Sequence, residues 1–193
     1  MKLFGISENF IEIYDNALTK KECEILVSQF EKLDKVDGTI VVEDQLVQRP
    51  DIKKCRQLEY SNFSDKSIIS NIVHPQLGKC LHKYFKKYGS LSTVGTWNCD
   101  DVYCFQKYES EDDGFKVWHC EHGGDPSTSS RLLAWMFYLN DAKSGTEFMH
   151  YSNVRAKRGR CVIWPAFWTH THRGVVPNRG LKYIVTGWAS YDV

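Results

Sequence analysis

The stretch RLLAWMFYLN, residues 131–140, is an almost wholly apolar and aromatic run that stops at the turn formers Asn140 and Asp141. Five other short segments rich in β-branched and aromatic residues lie between clusters of Gly, Pro, Asp or Ser, which is the pattern of strands separated by turns. They are residues 101–108, 115–122, 146–152, 159–166 and 182–191. So many short strands in succession predict a β-sandwich or a barrel-like jelly roll.

The N-terminal half of the chain has a different pattern, in which helices dominate. Apolar residues alternate along residues 10–14, as in a short strand, and Thr19 with Glu22 then forms a capping box at the start of a helix. The helical spacing of apolar residues over 67–87 indicates a second helix, which we expect to be interrupted near Pro75. The polar segment 36–56 between these helices is expected to be a strand followed by a long excursion.

Length and charge place broad limits on the protein. A chain of 193 residues fits one domain, 1–193, with helical support and a loop in 1–100 and the β core in 101–193. The formal charge is +1, from 25 Lys and Arg against 24 Asp and Glu, so there is no electrostatic reason to expect nucleic acid or an anionic membrane as a partner. We expect the basic pair Lys53-Lys54 to lie on a solvated face.

The cysteines and the N-terminus bear on the compartment. Seven cysteines are scattered along the chain without a CxxC pair, which fits neither a disulfide framework nor a zinc ribbon. The start MKLFGISENF lacks the apolar run of a signal peptide, and no segment approaches the ~20 apolar residues of a membrane span. We therefore expect a soluble, cytoplasmic protein.

Candidate metal ligands are concentrated in FKVWHCEHGGD, residues 115–125. In a strand, alternate side chains share a face, so His119 and Glu121 would point the same way. A third ligand is available from His170 or His172 in FWTHTHRG. Two imidazoles and one carboxylate form the facial triad of non-haem iron sites, which leaves coordination positions open.

These residues belong to a longer series of matches to one family. The series is Tyr108 at the end of FQKY, His119 and Glu121 in HCE, Arg131 with Tyr138-Leu139-Asn140, Thr146 and Phe148 in GTEF, His172 in HRG, and Lys182 in GLKYIVTGW. Over roughly residues 102–190 the chain resembles the 2-oxoglutarate- and Fe(II)-dependent dioxygenases of the prolyl 4-hydroxylase-like branch. Lys182 follows His172 by ten positions, the gap expected in this family, which favours His172 over His170 as the third ligand.

The resemblance implies a fold, cofactors and residue roles. The implied fold is α+β but mainly β, a double-stranded β-helix (jelly roll) core braced by N-terminal helices. The implied cofactors are Fe(II), 2-oxoglutarate and O2, with ascorbate as a reductant. The implied iron ligands are His119, Glu121 and His172; the implied cosubstrate ligands are Lys182, Tyr138 and Tyr108; the implied substrate contacts are Arg131 and Arg160.

The resemblance also implies a reaction, and it leaves alternatives. The expected reaction is hydroxylation of a proline in a peptide or protein, with succinate and CO2 as co-products; a free amino acid or another side chain is the alternative substrate. Segments 39–56 and 109–114 are the expected rims of the substrate site. Glu121 stands where the branch usually has Asp, which leaves open a catalytically silent binding module. A third hypothesis is a cupin-like metal site that uses His170 and His172.

Overall fold

The computed structural model describes residues 8–58, 61–63, 66–175 and 180–192. The first seven residues, where we expected no signal peptide, lie outside the described residues. The strands are β1 (Glu12–Tyr14), β2 (Val36–Asp37), β3 (Thr39–Val42), β4 (Gln45–Gln48), β5 (Lys53–Lys54), β6 (Arg56–Gln57), β7 (Ser61–Asn62), β8 (Trp97–Tyr108), β9 (Gly114–Phe115), β10 (Arg131–Tyr138), β11 (Gly145–Phe148), β12 (Val154–Arg155), β13 (Arg160–Pro165), β14 (His172–Val175) and β15 (Lys182–Tyr191). The α-helices are α1 (Lys20–Lys32), α2 (Ile68–Lys87) and α3 (Pro126–Ser129), and two 3-10 helices span Gly89–Thr93 and Trp168–His170.

The larger sheet is antiparallel, with the strand order β1-β13-β10-β15-β8-β6-β2 and β7 paired to β8. Strand β10, the apolar run from Arg131 to Tyr138, lies between β13 and β15 and is buried on both faces. Since side chains alternate along a strand, Trp135 and Phe137 pack toward α1 and α2, whereas Ala134 and Tyr138 pack into a second core on the opposite face. The sheet is therefore covered on both sides, as its continuous apolar sequence requires.

A smaller sheet with the order β12-β11-β14 covers the second face. Phe148 of β11 and Val154 of β12 pack against Trp164 and Ile184 of the larger sheet. Two facing antiparallel sheets with helices on one outer side are the predicted mainly β jelly roll, and this prediction of fold is confirmed.

The helices agree with the sequence patterns in one case and differ in the other. The capping box is present, because the Thr19 side chain accepts from the Glu22 N–H and Glu22 accepts from the Thr19 N–H. The expected interruption at Pro75 is wrong, since α2 runs continuously through it. Buried Val73 and Leu77 continue one apolar face on either side of the proline, so core packing outweighs the missing backbone hydrogen bond. No helix in the described part of the chain is both long and apolar enough to cross a membrane.

Candidate metal centre and cosubstrate pocket

A cavity of about 330 Å³ opens between the two sheets. Its floor is formed by β8 and β15, and one wall by residues 115–121 together with β14. Thr39, Ile40 and Val41 of the β3–β4 hairpin form the opposite wall. The jelly roll thus brings residues that are far apart in the sequence around one cavity.

His119, Glu121 and His172 meet in this cavity, with their candidate ligand atoms all within 4.8 Å of one another. Glu121 Oε1 lies 3.7 Å from His119 Nε2 and 3.4 Å from His172 Nε2. The backbone fixes the two histidines, because each donates its N–H to the carbonyl of the other, at 2.9 and 2.8 Å. Among the described residues this is the group of His, Cys, Asp and Glu that could hold a metal ion.

The local backbone differs from the strand predicted for 115–122. Strand β9 ends at Phe115, and His119 forms an isolated bridge with His172 rather than continuing a strand. Past that bridge, the N–H groups of Glu121 and His122 both donate to the Ala166 carbonyl. The predicted consequence nevertheless holds, because His119 and Glu121 face the same space.

Hydrogen bonds set the orientation of both imidazoles. Nδ1 of His119 lies 3.1 Å from the Val117 carbonyl, and Nδ1 of His172 lies 2.9 Å from the His170 carbonyl. A carbonyl can only accept, so each Nδ1 carries the proton and each Nε2 presents a lone pair to the cavity. Burial, and then the neighbouring His172, lowers the pKa of His119, which favours the neutral form that binds metals.

The carboxylate of Glu121 is held in the ionised state and in position. Burial alone would raise its pKa, but interactions with His119 and His172 outweigh burial and hold the pKa well below its ordinary value. Its second oxygen, Oε2, accepts from the Trp188 indole N–H at 2.8 Å and lies 3.6 Å from Arg131 Nη1. The Arg131 guanidinium in turn stacks 3.7 Å above the Trp188 ring. Oε1 therefore remains directed at the two histidines.

Lys182 also lines the cavity. Only 3 % of its surface is exposed, and its Nζ lies 4.4 Å from the centre of the Tyr108 ring and 3.4 Å from the Val175 carbonyl. No carboxylate of the described residues forms an ion pair with it, and burial lowers its pKa to about 8. A buried ammonium without a counter-ion is costly, which suits it to receive an anionic group from a ligand.

Three predicted residues lie outside the cavity lining. Tyr138 is buried behind it, and its hydroxyl shares a 2.6 Å hydrogen bond with Thr146, which does line the cavity. Arg160 is bound to Asp15, with Nε 2.8 Å from Oδ1. His170, the alternative third ligand, is bound through Nε2 to the Asn9 carbonyl at 2.8 Å and stacks on Tyr151.

The sequence patterns did not indicate that Lys53 lines the cavity or that Trp188 contacts Glu121. The expectation of a solvated pair at Lys53-Lys54 is wrong for Lys53, which is 6 % exposed and lines the cavity. Lys54 points outward and pairs with Asp112 at 2.8 Å. In the structure Lys53, Cys55 and Gln57 form the buried side of this segment, which its sequence does not indicate because two of the three residues are polar.

Comparison with known proteins agrees with this site. Residues 103–190 match the family model described as the 2OG-Fe(II) oxygenase superfamily. That segment contains the three candidate ligands and Lys182. A search of curated proteins found no significant match.

Solved structures with a similar fold include several prolyl hydroxylases. The viral collagen prolyl hydroxylase of Paramecium Bursaria Chlorella virus-1, solved with 2OG, has a TM-score of 0.70 at 16% identity. The match covers 95% of this chain and 97% of the viral chain. A Pseudomonas putida prolyl-4-hydroxylase has a TM-score of 0.71 at 12% identity, covering 97% and 96%. A Trichoplax adhaerens prolyl hydroxylase, in complex with a hypoxia inducible factor oxygen degradation domain peptide fragment, has a TM-score of 0.72 at 12% identity, covering 96% and 85%.

The family match and the fold agree with each other. Residues 103–190 are similar to the 2OG-Fe(II) oxygenase superfamily, and the fold of the chain is similar to that of the three prolyl hydroxylases. The matched family implies Fe(II), 2-oxoglutarate and O2. The donor set, the cavity and the buried Lys182, which has no ion-pair partner among the described residues, all fit them.

Proposed function

We propose that this protein is an Fe(II)- and 2-oxoglutarate-dependent dioxygenase, with residues 1–193 as one domain, that hydroxylates a proline in a peptide or protein. Succinate and CO2 are the co-products. The observation that carries the proposal is that one cavity holds two features: a His-Glu-His cluster, and the buried Lys182, which has no ion-pair partner among the described residues. A dicarboxylic keto acid matches this pair, because one end can bind a metal while the other meets a cation.

In this proposal His119, Glu121 and His172 hold the iron. The iron supplies, together with its cosubstrates, the oxidation of an unactivated C–H bond. The chain contributes binding and orientation: Lys182 binds the distal carboxylate of 2-oxoglutarate, and the Tyr108 ring covers the Lys182 ammonium. Tyr138 acts indirectly, by holding the hydroxyl of Thr146 at the cavity wall.

The proline part of the proposal is supported by the named neighbours, and the hairpin wall of the cavity offers a surface for a peptide. The viral and Trichoplax proteins are prolyl hydroxylases, and the second was solved with a peptide. In this chain the β3–β4 hairpin lines one wall, and its tip reaches across to α3, where Asp44 Oδ1 accepts from the Ser127 N–H at 3.0 Å. Arg131 lines the same cavity and can contact a substrate beside Glu121.

The first experiment is a visible absorption titration without oxygen, with Fe(II) and then 2-oxoglutarate. A weak charge-transfer band that needs both is expected, followed on admission of oxygen by succinate and by the gain of one oxygen atom on a proline peptide. Iron binding without the band would contradict the assigned cosubstrate site. Succinate formation without a modified proline peptide would contradict only the substrate.

The matched pair His172→Ala and His170→Ala tests the third ligand. His172→Ala should abolish the band and succinate formation, because it removes one of three donors. His170→Ala should retain both, since its side chain bonds to Asn9 outside the cluster. Loss of metal in His170→Ala alone would favour the cupin-like arrangement instead.

A further inference from the structure

Lys53 is a second buried ammonium in the same cavity, and the proposed roles do not use it. Its Nζ donates to Gln57 Oε1 and to the Thr39 carbonyl, both at 2.9 Å. Both acceptors are neutral, and Lys53 forms no ion pair with a carboxylate in the part of the chain that the structure describes. Since a buried charge is stabilised far better by an opposite charge than by neutral dipoles, the site is suited to an anion.

The cosubstrate does not account for this second cation. A row of polar contacts separates the two lysines along the cavity floor, running from Gln57 through Cys104 and Gln106 to Tyr108 beneath Lys182. Gln57 lies on β6 and Lys182 on β15, with β8 between them, so their backbones are about 10 Å apart across the sheet. 2-Oxoglutarate has two carboxylates, one used at the metal and one at Lys182, which leaves none for Lys53.

The net charge of the cavity also favours an anionic substrate. Its charged lining residues are Lys53, Arg131, Lys182, Glu121 and Asp125. These sum to one net positive charge, and a divalent iron with a doubly negative 2-oxoglutarate adds none. The loaded pocket is therefore left with one positive charge in a partly dehydrated space, which a singly negative substrate would neutralise.

Lys53 also lies on the side of the cavity where a substrate would meet the metal. Its backbone pairs with Phe115, and the Phe115 ring stacks on His119 with the ring centres 3.6 Å apart. Its ammonium bonds to the backbone of Thr39, the first residue of the hairpin wall. An anion bound there would be placed between the hairpin and the metal ligands.

We propose that Lys53 binds a carboxylate of the substrate, so that the group oxidised is presented next to a carboxylate. This inference rests on the proposed function and names its substrate class. The carboxylate can come from the terminus of a free amino acid or peptide, or from an acidic side chain beside the target residue. Lys53 is a specificity-determining contact, distinct from the Lys182 contact to the cosubstrate.

The test is a binding measurement on protein loaded with Mn(II) and 2-oxoglutarate in the absence of oxygen. The probes are N-acetylproline and N-acetylprolinamide, which differ in the carboxylate, and capped proline peptides with Asp or Asn next to the proline. Wild type should bind the charged member of at least one pair tenfold or more tightly, and the pair affected identifies the source of the carboxylate. Lys53→Met should bind both members of that pair alike, whereas Lys53→Arg should keep the preference.

Lys54→Met is the matched control, because Lys54 is the exposed neighbour that faces Asp112. It should behave as wild type. If Lys53→Met does not fold, Lys53→Gln replaces it, since an amide can still donate to Thr39 without a charge. The inference requires that wild-type protein prefer the charged probe, and this can be measured without any variant.

Two results would overturn the inference: equal wild-type affinity for every charged and neutral pair, or a Lys53→Met variant whose 2-oxoglutarate affinity falls while the probe preference stays. Other results would contradict the proposed function without contradicting the carboxylate site. A preference for N-acetylalanine over its amide that depends on Lys53, with no binding of either proline probe, would remove proline and retain the carboxylate site. Hydroxylation of charged and neutral proline probes at equal rates would support proline as the substrate and contradict the carboxylate contact at Lys53.

Discussion

At the scale of single residues, Lys182 illustrates how a functional group can oppose folding. Burial lowers its pKa from the ordinary 10.5 to about 8, so the protonated form is disfavoured in the ligand-free protein. The drop corresponds to about 3 kcal/mol against the charged form at neutral pH. In the proposed function this cost is offset when Lys182 pairs with the distal carboxylate of 2-oxoglutarate.

Replacement of Lys182 should consequently have opposite effects on stability and binding. Lys182→Met is expected to raise the melting temperature of the ligand-free protein, because it removes a buried unpaired charge while keeping most of the side-chain volume. The same variant should weaken 2-oxoglutarate binding at least a hundredfold, through loss of a charge-assisted contact. Calorimetry and thermal unfolding on one preparation measure both effects. A less stable variant with wild-type affinity would contradict the assignment.

The pH dependence of cosubstrate binding follows from the same group. Below pH 8 the free protein already carries a protonated Lys182. Above that pH, binding must first protonate the amine, so affinity for 2-oxoglutarate should fall up to about tenfold per pH unit. The stability of the ligand-free protein should change in the opposite direction. Between pH 8 and 10.5 Lys182 is protonated in the unfolded state but largely neutral in the folded state, so the free energy of unfolding should rise with pH over this range. Titrations of wild type and Lys182→Arg across this window check this, because arginine stays charged and should remove the dependence.

At the scale of elements, the β3–β4 hairpin forms one wall of the cavity. Its two turn residues, Glu43 and Asp44, have φ values of 50 and 57°, the left-handed region that side chains adopt at a cost. Exposed Val42 and Leu46 give the hairpin little core to pack on. Its position therefore depends on contacts at its tip and base, chiefly the bond from Ser127 to Asp44 and the bond from Lys53 to Thr39.

Asp44→Ala should loosen the hairpin without affecting the cosubstrate site. The loss of one charge-assisted hydrogen bond at the pocket mouth is expected to raise the KM for the peptide several-fold, with unchanged 2-oxoglutarate affinity. Glu43→Ala is the matched control, because it alters the same strained turn but does not remove the contact to Ser127. Steady-state kinetics with each substrate varied in turn make the comparison. Equal KM values in both variants would indicate that the turn, rather than the Asp44 contact, sets closure.

Sequence patterns predicted elements better than connections between them. The capping box at Thr19 and the apolar alternation of β10 are local signals, so α1 and the central strand could be predicted. The path through Pro75 and the bridge at His119 depend on tertiary contacts, which no local pattern encodes. The candidate ligands were found because their spacing matches a family, whereas Trp188 and Lys53 contact the site only through the fold.

At the scale of the whole molecule, the site lies between the two sheets and connects them. His119 and His172 belong to the smaller sheet's edge, and Lys182 and Trp188 to β15 of the larger sheet. Metal and 2-oxoglutarate together would therefore contact both layers, whereas the metal alone would contact mainly one. Because a ligand that binds only the folded state stabilises it by mass action, occupancy of the site should affect global unfolding.

Thermal unfolding should accordingly depend on the two ligands together. Mn(II) alone is expected to raise the melting temperature modestly, and 2-oxoglutarate at ~100 times its Kd should add about 2.7 kcal/mol of stability when the metal is present. Without metal, 2-oxoglutarate should add little, since one of its two anchoring points is missing. A chelator should reverse the whole gain, and Lys182→Met should keep the metal effect while losing the effect of 2-oxoglutarate. If 2-oxoglutarate stabilised the metal-free protein equally well, the keto acid would bind elsewhere, and the cavity between the sheets would not be its site.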